Sequence, residues 1–195
     1  EVRNNSYGVF KLASCRKSIT KKKCKKGELM RITELLDKRS IRIDGAPKSK
    51  NEALDQMVEL MAKSGKINDL EAYRQEVYRR EEEGTTGVGE GIAIPHGKGA
   101  FVDKPGLAAM VVKDGVDYDS LDGEPVHLIF LIAAPNTKDN VHLDVLSKLS
   151  VLLMDEDFSR ALQNAKSPEE FILRRWHSIK ATRQSRYPQM KELRL

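Results

Sequence analysis

Gly87-Val88-Gly89-Glu90-Gly91-Ile92-Ala93-Ile94-Pro95-His96-Gly97-Lys98 is the stretch that decides how this chain is read. Three glycines at alternate positions let the backbone bend and keep side chains out of the way. Ile92-Ala93-Ile94 then reads as a short apolar strand. Pro95 ends it, because proline has no N–H to give to a sheet ladder and fixes its own φ. His96 is thereby placed just past a strand end, between a rigid residue and a glycine, with its ring open to a partner. On spacing alone two readings stand: a presented nucleophile, or a tight turn with an incidental histidine, since glycine and proline commonly punctuate turns.

The usual meanings of a glycine-rich loop do not apply. A dinucleotide fingerprint leads from a strand into a helix, whereas this loop leads into Ile-Ala-Ile-Pro. A P-loop needs Gly-Lys followed by Ser or Thr, and Lys98 is followed by Gly99. Zinc needs several ligands at workable spacing, and no second His or Cys is near His96.

Upstream, Ser49 and Glu52 form a capping box for a helix whose face carries Leu54, Met57, Val58 and Met61, closed by Gly65. Asp69 caps a second helix with Tyr73, Val77 and Arg80 in line, ending at Gly84. An arginine on an apolar face either snorkels or has work to do, and the short step from Gly84 into the glycine loop brings Arg80 close to it. Downstream, Leu107 to Val112 reads as a strand followed by an Asp114-Gly115 turn. After the turn Asp122-Gly123-Glu124-Pro125, Val126 to Ala134 reads as a central buried strand. His127 within it reads as a structural histidine. The next helix carries Leu143, Leu146, Leu149, Leu152 and Leu153 on its apolar face, with His142 in its first turn. There His142 is either an exposed helix residue or a neutral ring that helps hold a phosphate, since free N–H groups attract anions and the positive helix end disfavours protonation. A short helix follows Ser167-Pro168-Glu169-Glu170.

The 195 residues suffice for one core, and the net charge of +5 first points to nucleic acid or a membrane. Its distribution points elsewhere. Residues 1–31 carry +8 and residues 174–195 carry +6; taking that +14 from +5 leaves −9 for residues 32–173. The basic segment 1–29 has no apolar period and is expected to flank the native domain, residues 30–173 to form it, and 174–195 to be a basic, solvated tail. His177 in that tail carries no signal. Cys15 and Cys24 both fall in the leading segment, so the domain has no disulfide framework and a reducing cytoplasm fits. No apolar run is long enough to span a membrane.

Arg80-Glu81 followed by Gly84-Thr85-Thr86-Gly87-Val88-Gly89-Glu90-Gly91-Ile92-Ala93-Ile94-Pro95-His96-Gly97 resembles the enzyme IIA domain of the bacterial phosphoenolpyruvate-dependent sugar phosphotransferase system, fructose/mannitol type. The likeness runs from about Met30 to Leu173 and takes in Asp122-Gly123-Glu124-Pro125-Val126 and His142-Leu143 with Leu146-Ser147-Lys148-Leu149-Ser150. It implies an α/β fold, a mixed β-sheet flanked by helices in a single compact domain. It also implies a phosphoryl relay, in which the carrier protein HPr phosphorylates a histidine that then passes the group to a cysteine of an enzyme IIB domain, itself linked to a membrane IIC permease. His96 matches the phosphorylated histidine, His142 the second active-site histidine and Arg80 the active-site arginine. Thr86, Gly87, Gly89 and Gly91 match the loop expected to cradle the phosphate, with Thr85-Thr86 standing where Ser-Thr is common. Nucleic acid, direct membrane insertion, metal and cofactor have no place in this reading.

Physical chemistry agrees with those roles. An imidazole must be neutral to attack, and an unperturbed pKa of about 6.5 makes that form dominant near neutrality. Phosphoryl transfer needs in-line positioning and charge stabilisation more than covalent help. A forked guanidinium suits that task better than a lysine's point charge. Phe130-Leu131-Ile132-Ala133-Ala134-Pro135 looks most like fructose-type domains, less like the mannitol type. A nitrogen-regulatory paralogue, which shares the same histidine loop and acts by phosphorylation-dependent binding, and a non-transferring domain of a transcription regulator stay open.

Overall fold

Residues 32–137 and 141–173 are described by a computed structural model, except for the side chains of Thr33, Val141, His142, Asp144 and Leu173. The leading segment 1–29, the tail 174–195 and His177 lie outside the described residues. In chain order the elements are α1 (Ile32–Leu35), β1 (Leu36–Gly45), α2 (Lys50–Ala62), α3 (Leu70–Glu82), β2 (Gly87–Gly89), β3 (Ile92–Ala93), β4 (His96–Gly99), β5 (Gly106–Val116), β6 (Val126–Pro135), α4 (Val141–Leu153), α5 (Glu156–Gln163) and α6 (Pro168–Leu173).

The strands make one mixed sheet in the order β1-β5-β6-β3-β2, with β4 also paired to β6. Strands β5 and β6 are antiparallel, while β3 and β4 both run parallel to β6. Period-2 alternation along the two apolar strands feeds two cores. Leu107, Ala109, Val111, Phe130 and Ile132 pack with Leu149, Phe158 and Phe171 on one face. Ala108, Met110, Val112, Ile129 and Leu131 pack with Leu54, Met57, Tyr73 and Val77 on the other. Helices α2 and α3 therefore cover one face and α4, α5 and α6 the other. This is the mixed sheet flanked by helices, in a single compact domain, that the resemblance implied.

The capping signals act locally. Ser49 Oγ accepts from Glu52 N at 3.3 Å, and the Glu52 carboxylate takes Lys48 N at 2.8 Å, one residue earlier than a standard capping box. Asp69 accepts from Ala72 N at 3.0 Å. Three expectations need correction. Asp114-Gly115 is no turn between strands but lies inside β5, where Gly115 (φ +74°) carries an irregularity in the register with β6. Leu143 is 51% exposed; the buried line of α4 is Val145, Leu149 and Leu153, with Leu146 and Leu152 only partly covered. Pro95 interrupts the sheet without ending it. Its missing N–H breaks the ladder, but its carbonyl accepts from Ile132 N at 3.0 Å and the chain pairs again with β6 from His96 onward. His96 thus opens a strand; it does not trail one.

Candidate active site

Helix α3 lies directly against the backbone of β4. A Cβ added at Gly97 would sit 2.9 Å from the Tyr73 ring and 3.1 Å from Val77 Cγ2, so only glycine permits this approach. Tyr73 and Val77 are buried there, and the Tyr73 hydroxyl donates to the carbonyl of Ile132, the β6 partner of His96, at 3.2 Å. Burial keeps that phenol well above its ordinary pKa, so it remains a donor. The contact sets the height of the helix over the sheet. Arg80, a turn farther on, then reaches the His96 ring.

Both ring nitrogens of His96 are held. Nδ1 lies 3.1 Å from the Ile94 carbonyl, and Nε2 lies 3.1 Å from Arg80 Nε. A carbonyl can only accept and a guanidinium can only donate. The two neighbours therefore select one neutral tautomer, with the proton on Nδ1 and the lone pair on Nε2. Burial of the half-exposed ring lowers its pKa below the ordinary 6.5; the Ile94 carbonyl, Glu81 and Glu76 raise it and Arg80 lowers it further, and the net direction is down. The ring is neutral at neutral pH. Arg80 also donates through Nη1 to the Gly84 carbonyl at 3.0 Å. The neighbouring carboxylates of Glu76 and Glu83 are taken by Arg79, so among the described residues Arg80 has no carboxylate partner. Its charge is left for an incoming anion.

The remaining expected site residues divide. Thr86 is 4% exposed, with its N–H donating to Glu81 Oε1 at 2.9 Å and its hydroxyl to Glu81 Oε2 at 2.5 Å, so neither group is offered to a phosphate. Gly87 is needed because an added Cβ would come within 2.9 Å of Ser120 Cα. Gly89 (φ +98°) and Gly91 (φ +72°) flank Glu90 (φ +55°) in the β2–β3 turn. That turn sits at the other end of β3: the Gly91 carbonyl accepts from His127 N at 2.8 Å and Leu128 N at 3.0 Å. Leu128 is four residues along β6 from Ile132, about 13 Å from the level of His96 at roughly 3.3 Å per residue. An anion at the turn would also meet the Asp122 carboxylate, which already accepts from Glu90 N at 2.8 Å. The expected glycine cradle is thus a hairpin turn, displaced because β3 is only two residues long and the chain has passed through it before reaching His96. His142 falls in the first turn of α4, and its side chain lies outside what is described. His127 bonds the Val112 carbonyl through Nδ1 at 3.1 Å, as a structural histidine does.

Sequence reasoning missed Glu81, Lys50 and Tyr118. Glu81 is 8% exposed, and Lys50 Nζ reaches its Oε1 at 2.9 Å. The signal was available. Tyr73, Val77 and Glu81 are spaced four and four, so an acid continues a buried helical line.

The chain is 48% identical over 143 residues to the fructose-specific EIIABC component of the phosphotransferase system from Bacillus subtilis, a match that takes in 73% of this chain but 22% of that longer protein. Its fold is similar to the crystal structure of nitrogen regulatory protein IIA-Ntr from Neisseria meningitidis, with a TM-score of 0.67 and 31% identity over 72% of this chain and 96% of that one. It is also similar to a chain in the complex of enzyme IIAMTL and phosphorylated enzyme IIBMTL from Escherichia coli, with a TM-score of 0.61 and 28% identity over 69% of this chain and 92% of that one. Residues 34–174 match the family model described as phosphoenolpyruvate-dependent sugar phosphotransferase system, EIIA 2, and the chain belongs to that family of phosphotransferase components.

Proposed function

We propose that His96 accepts a phosphoryl group on Nε2 from phospho-HPr and hands it to a cysteine of an enzyme IIB domain linked to a membrane IIC permease, in cytoplasmic service of fructose-type sugar uptake. The observation that carries this reading is the ring held at both nitrogens, with its lone pair facing an arginine that no carboxylate neutralises among the described residues. In the forward step the Nε2 lone pair forms the new N–P bond in line as the donor's N–P bond breaks, and the electron pair returns to the donor imidazole. Arg80 Nε leaves Nε2, and the guanidinium turns onto the phosphoryl oxygens. Nδ1–H stays on the Ile94 carbonyl, which stabilises the positive charge that develops on the ring. The second step reverses the bonds: a thiolate attacks phosphorus and the pair returns to Nε2. His142, in the first turn of α4, supplies a further donor to the phosphate in this reading.

The fructose assignment is supported by the 48% identity to the Bacillus subtilis fructose-specific component. The enzyme IIB partner is supported by the likeness to a chain of the IIAMTL–IIBMTL complex. A regulatory module controlled by His96 phosphorylation is the second reading, favoured by the TM-score of 0.67 to the Neisseria meningitidis nitrogen regulatory protein. Incubation with phosphoenolpyruvate, enzyme I and HPr, followed by intact mass, acid treatment and a chase with fructose-type enzyme IIB, tests both. One acid-labile phosphate, absent in His96→Ala and discharged to enzyme IIB, is expected. Phosphate on another residue, or none on a folded protein, overturns the assignment. A stable phosphoprotein that no enzyme IIB discharges turns the balance to regulation.

A further inference from the structure

Arg80 and Glu81 are neighbours on helix α3, and each is connected to a different nitrogen of the His96 ring, Arg80 directly and Glu81 through Thr86 and Ile94. Arg80 holds Nε2 directly. The other route starts at Glu81, whose Oε1 takes Thr86 N at 2.9 Å and whose Oε2 takes the Thr86 hydroxyl at 2.5 Å. The Thr86 carbonyl then accepts from Ile94 N at 2.9 Å, and the Ile94 carbonyl holds His96 Nδ1 at 3.1 Å. The bonds close a ring through two adjacent helix residues. From this ring we propose that Glu81 is a positioning residue, with Lys50 as its counter-ion: it locks Thr86, and through Thr86 the carbonyl that fixes the Nδ1–H tautomer of His96.

A purely structural ion pair is the competing account, and energetics count against it. The Glu81 carboxylate is nearly fully buried while the Lys50 side chain keeps 23% of its surface exposed; desolvating a carboxylate is costly, and apolar replacement of such a pair is often neutral or better. Lys50 moreover opens α2, where the helix dipole opposes a cation. Its ammonium is held there by Glu81 at 2.9 Å and the Tyr118 ring at 5.2 Å, with Thr85 Oγ1 at 3.5 Å and Asp119 at 3.9 Å at the edge of contact. The Tyr118 hydroxyl lies 3.3 Å from Thr86 Oγ1. Thr86 Oγ1 gives its proton to Glu81, so Tyr118 donates, and its burial keeps it protonated to do so. Every contact of the Glu81 carboxylate thus comes from a donor, and two of the three come from Thr86, the residue whose carbonyl holds Ile94 N. A salt bridge serving stability alone has no reason to be aimed at this point.

The inference rests on the phosphoryl-acceptor reading only in its kinetic part, and the test separates the two. Full-length protein with 15N-labelled histidine is compared as wild type, Thr86→Val, Thr86→Ser and Glu81→Gln. Long-range 1H–15N spectra read the His96 tautomer, and phospho-HPr titration reads kcat and KM. Wild type is expected in the Nδ1–H form. Thr86→Val and Glu81→Gln are expected to mix the tautomers and to lower kcat about tenfold at unchanged KM, as misorientation of a reacting group does. Thr86→Ser, which keeps the hydroxyl, is expected to restore both. If Glu81→Gln does not fold, the Thr86 pair decides alone. Folded Thr86→Val with the wild-type tautomer and rate overturns the proposal. If the wild type takes no phosphate from HPr, the proposed function falls while the spectra still decide the positioning.

Discussion

Arg80 and His96 form a donor–acceptor pair whose chemistry depends on guanidinium geometry. Arg80→Lys keeps the charge but loses the Nε–H that meets Nε2 and the fork that would hold two phosphoryl oxygens. It is expected to lower the phosphoryl-acceptance rate about 100-fold, the scale seen when one transition-state donor is lost, with circular dichroism unchanged. The His96 pKa gives a second prediction. Burial lowers the folded value below 6.5, with Arg80 pushing the same way and the Ile94 carbonyl, Glu81 and Glu76 opposing. Between that lowered value and 6.5 the unfolded chain binds more protons, so stability from this group falls as pH drops through the window. Urea denaturation of His96→Gln should show a shallower loss below pH 6.5 than wild type, and wild-type phosphoryl acceptance should persist below pH 6.5. At this scale the reactive pair was legible: His96 follows Pro95, and Arg80 interrupts an apolar line. The burial of Glu81 was legible in its spacing from Tyr73 and Val77, but its grip on Thr86 was not, because that is made by the return of the chain after Gly84, which spacing does not encode.

Helix α3 and strand β4 touch through Gly97, and that contact carries the next prediction. Gly97→Ala places a methyl 2.9 Å from Tyr73 and 3.1 Å from Val77, two buried side chains with little room to retreat. Overpacking of this kind costs about 1–3 kcal/mol. It also lifts the arginine-bearing helix, so the loss of transfer rate should exceed that of a core variant of equal stability, measured by urea midpoint and kcat together. Legibility differed among elements for physical reasons. Strands β5 and β6 are built on long apolar runs, residues 107–112 and 128–134, and α2 and α3 carry the side-chain caps that their sequences signal. Strand β1 mixes charges with apolar residues and has two irregularities against β5, so alternation in LDKRSIRIDG is confined to Ile41-Arg42-Ile43-Asp44, too short to mark a ten-residue strand. Helix α5 is only eight residues long and went unpredicted, although Asp155 caps it by accepting from Phe158 N. The glycine loop misled because alternating glycines serve a hairpin turn as readily as a phosphate cradle.

At the scale of the whole fold, the described residues form a sheet between two separate cores, one under α2 and α3, the other under α4, α5 and α6. Losses on opposite faces should therefore add. Met57→Val and Phe171→Leu are each expected to cost about 1–2 kcal/mol, and the double variant to match their sum within about 0.5 kcal/mol. A clear excess in the denaturation data would mean that the two cores communicate through the sheet. One further consequence belongs to this scale. The guanidinium rides on the helical layer and the imidazole on the sheet, so their 3.1 Å separation works as a gauge of interlayer slip. An ångström of sliding that leaves every helix and strand intact would open it, and on gentle heating the protein would fall silent before it melts.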